Sequence, residues 1–265
     1  MKKTMLVISA LAAVLNADFL SVSAGVGIQR QIIDGYVKKG NTVNYFNNSS
    51  AQTDGNVNSG DFALKDKSNP YFWVKLIHPM PFLPNVKFQY TKYDSSGRSS
   101  YIAGGVKIFS DVYIPTALTN ALTEQSIDSY DVTFFYEFNP VIADIEAGFG
   151  VDIWNGKTKI YGNGAGVSKT WVDSGWSVVL PYLYLHLQSM RFFNVSLSAD
   201  AKYAKIGDYH HYDYQGALQY TIDITGPVNP FVKLGYRYKD VYGEDGSYQT
   251  SIKYKGAYLE IGAEF

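Results

Sequence analysis

The sequence predicts an all-β fold, a transmembrane antiparallel up-and-down β-barrel. Three observations lead to this prediction: apolar and polar residues alternate in segment after segment, no apolar run can span a bilayer as a helix, and the composition is aromatic without being strongly apolar. Aromatic residues make up 16% of the 265 residues, whereas the mean hydropathy is only −0.13. A barrel averages an apolar outer surface with a polar lumen, which gives a mean hydropathy near zero.

The N-terminus has the pattern of a secretory leader. Two lysines precede an apolar run from Met5 to Leu15, and Asp18 follows shortly after it. This run is shorter than the ~20 apolar residues of a spanning helix. We therefore expect a signal peptide over residues 1–17 and a single outer-membrane barrel domain over residues 18–265.

Charge and cysteine content narrow the possible functions. The formal net charge is −1, and removing the two leader lysines (−1 − 2) makes it −3, so no basic surface for nucleic acid is expected. Cysteine is absent, which excludes disulfides and cysteine-based zinc sites. We expect no cofactor, no metal and no nucleic-acid partner.

Period-2 alternation predicts the strands. One face of each segment carries Val, Ile, Leu, Phe or Tyr, and the other carries Ser, Thr, Gln, Gly or charged residues. The segments are 20–29, 71–77, 86–91, 129–138, 141–152, 176–187, 193–203, 212–223, 232–239 and 257–265.

The connections alternate between short and long. Short turns are predicted at 78–85, 139–140, 188–191 and 225–230, and long polar loops at 39–69, 95–125, 154–174, 205–211 and 241–250. Four short turns and five long loops give ten strands, with short turns facing the periplasm and long loops facing outward. A hidden hairpin between residues 101 and 127 would make twelve strands, and losing the short second strand would leave eight.

The last strand resembles the C-terminal signal by which outer-membrane barrels are recognised by their assembly machinery. The residues that carry this signal are Gly256, Leu259, Ile261 and the terminal Phe265. We expect this strand to pair with the first strand and close the barrel. Aromatic residues near strand ends are predicted to form girdles at the two membrane interfaces: Tyr90, Phe138, Phe193, Tyr203, Phe231, Tyr238 and Phe265.

Several charged residues fall on the inward face of the predicted strands. A narrow barrel must fill its interior, and opposite charges that pair with each other can do so. We predict a lumen ion-pair network of Asp131, Glu137, Asp144, Glu146, Asp152, Lys233, Arg237 and Lys239. A polar pathway for small solutes remains an alternative use of the same residues.

The segment from Asp208 to Asp213, with His210 and His211 inside it, is the one cluster with the residue types of a metal or acid–base site. It lies at the predicted outer rim, where omptin proteases carry acidic pairs and a His–Asp couple. Adjacent residues of a strand point to opposite sides, which is poor geometry for shared ligation. We therefore predict a polar loop here, with no catalytic or metal-binding residues.

Motifs in strands and turns resemble a family of small outer-membrane β-barrel proteins of unknown function from Gram-negative bacteria. They are His78-Pro79, Leu83-Pro84-Asn85, Tyr130-Asp131, Phe135-Tyr136-Glu137 and Gly235-Tyr236-Arg237. The resemblance covers essentially the whole chain. The chain departs from the family pattern at Phe134-Phe135, where a Leu-Tyr pair is usual.

These observations together predict a non-enzymatic barrel in the cell outer membrane with a mostly plugged polar lumen, serving a structural or surface-display role. The alternatives are a narrow pore for small polar solutes and an outer-rim hydrolase resembling omptins. The expected partners are outer-membrane lipid, lipopolysaccharide and the barrel assembly machinery, and the expected oligomeric state is a monomer.

Overall fold

A computed structural model describes residues 20–47, 58–108, 112–140, 142–164, 167–224 and 226–265, and for residues 167–171 only the backbone. The predicted signal peptide lies outside these residues. Every regular element in the described ranges is a β-strand. No helix in the described part of the chain is long and apolar enough to cross a membrane.

Ten antiparallel strands form a closed ring, as the sequence predicts. They are β1 (Ser21–Lys39), β4 (Lys67–Ile77), β5 (Asn85–Ile102), β8 (Leu118–Phe138), β9 (Ala143–Gly164), β10 (Val167–Ser189), β11 (Val195–Ile206), β12 (Tyr209–Thr221), β13 (Asn229–Asp245) and β14 (Tyr248–Glu264). Four short strands lie in two of the loops: β2 (Thr42–Tyr45), β3 (Ser59–Asp61), β6 (Val106–Ile108) and β7 (Val112–Ile114). The alternatives of eight and twelve ring strands are wrong, because β4 is a full member of the ring and the β6–β7 hairpin is not.

The ring closes where the last strand meets the first. β14 pairs antiparallel with both β13 and β1, and Val26 lies opposite Ile261. The terminal Phe265 exchanges two backbone hydrogen bonds with Val22, at 2.8 and 3.3 Å. The predicted closing seam is therefore confirmed, and this seam has no unpaired sheet edge.

The ring strands extend further than alternation predicts. Most of the predicted loops 95–125 and 154–174 are strand, because β5 pairs with β8 as far as Ile102 and β9 pairs with β10 as far as Gly164. These extensions carry polar side chains on their outward face, for example Asp94 and Ser126, which share a hydrogen bond of 2.6 Å. Where the outward face of a strand is polar, the sequence does not show the alternation of apolar outward and polar inward residues that was used to predict the strands.

An apolar belt surrounds the end of the ring that bears the short turns, here called the short-turn end. It consists of outward side chains such as Val26, Ile28, Phe72, Phe149, Leu183, Leu197, Leu218, Leu234, Leu259 and Ile261. Towards the opposite, long-loop end, the outward side chains become charged and form pairs such as Arg30–Asp66 and Lys157–Asp173. The prediction that Phe231 belongs to an aromatic girdle is wrong. Its side chain is 2% exposed and stacks on Trp73 inside the ring, because residue 231 lies on the same inward face of β13 as Lys233.

Candidate functional site

The lumen has three layers, and the middle layer is a set of buried ion pairs. Asp152 pairs with Lys239, Asp131 with Lys202 at 2.5 Å, and Asp213 receives two hydrogen bonds from Arg237 at 2.8 and 2.5 Å. Side-chain exposure is 7% or less in all six residues. Three carboxylates thus balance three cations, and each cation has a carboxylate in direct contact.

Neutral donors complete this middle layer. Asp152 accepts hydrogen bonds from Ser129 at 2.6 Å and from Trp154 Nε1 at 2.9 Å. Asp131 accepts one from the Tyr182 hydroxyl at 2.6 Å. Buried charges are tolerated when paired and hydrogen-bonded, and here the carboxylate oxygens are occupied from several strands at once. The layer therefore fills the middle of the lumen with a fixed polar network.

The eight residues predicted as one network occupy three places. Asp131, Asp152, Arg237 and Lys239 meet in the middle layer, whereas Glu146 and Lys233 lie nearer the short-turn end. Glu137 and Asp144 lie at the short-turn end itself and form no ion pair with any residue that the structure describes.

Two partners of the middle layer, Lys202 and Asp213, were missed as members of the network. Inward parity identifies both residues as lumen-facing, but their partners lie on other strands. The Lys202–Asp131 pair joins residues 71 positions apart in the chain, and the Lys239–Asp152 pair joins residues 87 apart. Sequence spacing therefore could not show which residues pair.

The layer at the long-loop end is apolar. Its inward side chains from the ring include Ile33, Val37, Ile127, Trp154, Ile160, Leu180, Val241, Ile252 and Tyr254, all 3% exposed or less. Val106, Ile108, Val112 and Ile114 of the β6–β7 hairpin pack against them and are fully buried. Phe46, Phe62 and Leu64 from the loop between β1 and β4 complete this layer. We call this loop and the β6–β7 hairpin together the cap.

The hairpin crosses the mouth of the ring. β6 contacts β1 and β14, while β7 contacts β10 on the opposite side of the ring. Asn44 anchors the start of this crossing: its amide donates to the Ala103 carbonyl at 2.8 Å and its carbonyl accepts from the Ala103 N–H at 2.7 Å. The two loops of the cap are therefore joined to each other as well as to the ring.

The layer at the short-turn end is a polar pocket. Lys75 pairs with Glu146 at 2.9 Å, and Asp200 lies 3.1 Å from His186 Nδ1 and 3.6 Å from Lys87. The pocket has an empty volume of about 560 Å³ including its open mouth, but the centres of water molecules can occupy only about 40 Å³ of it. Space therefore remains between the side chains of this layer.

The two adjacent histidines lie on opposite sides of β12. His211 is fully buried inside the ring, whereas His210 is stacked on the outside between Tyr212 and Tyr242, with ring centroids 4.5 and 5.2 Å away. Nε2 of His210 lies 3.5 Å from Asp240 Oδ1. Within the described ranges, no group of three His, Cys, Asp or Glu side chains is arranged to hold a metal ion.

The residues of the predicted assembly signal all lie along the seam. Leu259 and Ile261 are exposed on the apolar belt, and Phe265 bonds to β1. A Cβ atom on Gly256 would lie 1.8 Å from the Arg30 carbonyl oxygen, so any larger residue would push β1 and β14 apart. Whatever their role in assembly, Gly256 and Phe265 make backbone contacts that the closed ring uses.

No protein-family model and no curated protein matches the chain. Among solved structures, it is similar to the outer membrane protease OmpT from Escherichia coli, with 8% identity and a TM-score of 0.43 over 94% of this chain and 97% of that one. It is also similar to Neisserial surface protein A (11%, TM-score 0.30, covering 92% and 95%) and to the Pseudomonas putida toluene transporter TodX (7%, 0.29, 94% and 90%). Identities and TM-scores this low assign no activity to the chain.

Proposed function

We propose that the chain is an integral outer-membrane β-barrel. The apolar belt on the closed ring supports this placement, since such barrels present an outward apolar band ~25 Å tall to lipid. The ring has no unpaired edge at its seam, which is what a strand-built protein needs in hydrocarbon. Short turns then face the periplasm, and the cap projects from the outer surface of the cell.

We further propose that the barrel is closed to solutes, with a structural or surface-display role and no catalysis. The observation that supports this proposal is that the cap and the middle layer lie one above the other and fill the outer and central parts of the lumen. Ions crossing such a barrel would have to displace the hairpin and then break buried ion pairs. The cap is held as a folded unit, so it offers the exterior a defined surface.

The alternatives have less support. A narrow pore is favoured only by the pocket at the short-turn end, which stops at the middle layer. A rim hydrolase is favoured only by the contact of His210 with Asp240, and those side chains face sideways out of the ring, flanked by tyrosines. As partners we propose outer-membrane lipid, lipopolysaccharide and the assembly machinery, with the barrel acting as a monomer.

Two single-cysteine variants test the location and the orientation, because the native chain has no cysteine. Ser96 is exposed above the belt, and Phe82 is 90% exposed in the first short turn. A bulky, membrane-impermeant maleimide should label Ser96→Cys in intact cells and Phe82→Cys only after the outer membrane is permeabilised. The reverse pattern would overturn the orientation, and no labelling of Ser96→Cys in intact cells would overturn the surface location.

A further inference from the structure

The pocket at the short-turn end is closed at its inner end and is lined by charged side chains that could bind a ligand. It is bounded above by the middle layer and opens at the end that faces the periplasm in the proposed orientation. About 40 Å³ is available to water centres, which corresponds to about three water molecules. A ligand that replaced them would have on the order of five heavy atoms, given the ~30 Å³ that each water occupies.

Two lysines in this pocket form ion pairs but no hydrogen bond with any residue that the structure describes. Lys87 and Lys233 lie over the Trp73 ring, with Nζ 5.5 and 5.8 Å from its centroid. Their nearest carboxylates, on Asp200 and Glu260, are 3.6 and 3.7 Å away, which is too long for a hydrogen bond. Lys75, by contrast, bonds Glu146 at 2.9 Å. Two ammonium groups beside Trp73 can therefore still donate to an incoming acceptor.

The same pocket contains a buried carboxylate oxygen that accepts no hydrogen bond within the described ranges, although the Lys233 ammonium group lies 3.7 Å from it. Glu260 is 4% exposed; its Oε2 accepts from the Tyr71 hydroxyl at 2.7 Å, but Oε1 has no hydrogen bond within the described part of the chain. Leaving a buried carboxylate oxygen unpaired is costly. Gly25 lets the Trp73 ring and the Glu260 carboxylate pack directly against the β1 backbone, since a Cβ there would lie 3.1 Å from Oε1 and 2.8 Å from Trp73 Nε1.

We infer that this pocket binds a small zwitterion, with one carboxylate and one ammonium group on a few heavy atoms, of which glycine is the simplest. The carboxylate would accept from Lys87 and Lys233, and the ammonium group would donate to Glu260 Oε1. A plain anion would face the carboxylates of Glu260 and Asp200, and a plain cation would face the lysines. A molecule carrying both charges satisfies both sets of groups.

The test is equilibrium dialysis of radiolabelled glycine against the full-length barrel folded in detergent. We expect saturable binding at one site per chain, at least tenfold weaker competition by acetate, methylammonium and inorganic phosphate, and exclusion of leucine by size. Lys87→Met and Glu260→Gln should each weaken binding at least tenfold. The matched control, Lys255→Met, removes a lysine from the outer face of β14 and should leave binding unchanged.

Absence of saturable glycine binding would mean that the pocket holds only water, and this would overturn the inference. So would phosphate binding more tightly than glycine, or binding unchanged in both pocket variants. Heat-modifiable migration on gels shows whether each variant has folded. Because binding is measured in detergent, it is independent of orientation and conductance: a barrel that conducts ions yet binds glycine would refute the closed lumen and keep this site.

Discussion

The long-loop half of the ring and its short-turn half have opposite polarity, although the same strands build both. In β14, Leu259 and Ile261 point outward and Glu260 points inward, whereas nearer the start of the strand Ile252 points inward and Lys253 points outward. β1 shows the same reversal. The half with the apolar belt has charged and polar groups inside, beside aromatic rings such as Trp73 and Phe231. The half above it has an apolar core like that of a soluble barrel.

The reversal shows where the surroundings of the barrel change. Parity along each strand is fixed by the backbone, so only the choice of residues can exchange the apolar and polar faces. In lipid, apolar side chains are most stable on the outer face of the strands, whereas in water they are most stable when buried inside. The level at which the strands change over therefore marks the proposed outer boundary of the membrane. Four substitutions test this boundary and the two halves.

The largest effect is expected at the level between the halves. Asp152→Ala leaves Lys239, which is 1% exposed, without its closest carboxylate. Removing one partner of a buried ion pair costs ~3–5 kcal/mol of unfolding free energy. Urea unfolding of the detergent-folded protein measures this loss. Asp144→Ala, at the exposed short-turn end, is the control and should change stability by less than ~0.5 kcal/mol.

A charge placed on the belt should have the next largest effect. Leu234→Arg puts a cation on an outward position that is 58% exposed in the proposed lipid zone, at a cost of ~2–4 kcal/mol in a bilayer. Asn155→Arg is also outward but lies above the belt, so its cost should be near zero. Unfolding from lipid vesicles compares the two variants, and equal stability would refute the position of the boundary.

In the cap, Asn44→Ala should have an intermediate, local effect. It removes both hydrogen bonds to Ala103 and leaves that buried backbone without partners, at a cost of ~1–3 kcal/mol. Amide exchange should speed up in residues 103–108 and 112–117 and stay unchanged in β11 to β13. Asn41→Ala, an exposed position in the same loop, serves as the control. Faster exchange throughout the barrel would mean that the cap is not a separate unit.

The smallest effect is expected at Asp61 in β3. Burial raises the pKa of its carboxyl above the ordinary value, with hydrogen bonds from Ser99 and Ala63 opposing the shift. Because the neutral form is favoured in the fold, the cap should be most stable below the ordinary carboxyl pKa and lose stability as the pH rises through the raised value. Asp61→Asn should remove this dependence and slow exchange in the cap at neutral pH. An unchanged pH profile in Asp61→Asn would contradict this.

The same comparison explains how much the sequence could predict. The strands of the belt half and the closing seam were predicted, because apolar and polar residues alternate there in the way that a lipid-facing barrel requires. The strand extensions above it were read as loops, since residues such as Asp94, Ser126 and Lys157 suggest no lipid-facing strand. The cap was not predicted: a hairpin between residues 101 and 127 was considered only as two further ring strands. Only the assembled ring supplies the apolar wall against which this hairpin packs.

The central claim is that the lumen is closed by the cap and the middle layer, and recordings of single barrels in planar lipid bilayers test it most directly. The folded native chain should give a silent trace at moderate voltage, and Asp152→Ala combined with replacement of residues 104–116 by a short Gly-Ser linker should give discrete conductance steps. Heat-modifiable migration must first show that both proteins are folded. Steady, discrete conductance from the native chain, equal to that of the double variant, would contradict the account.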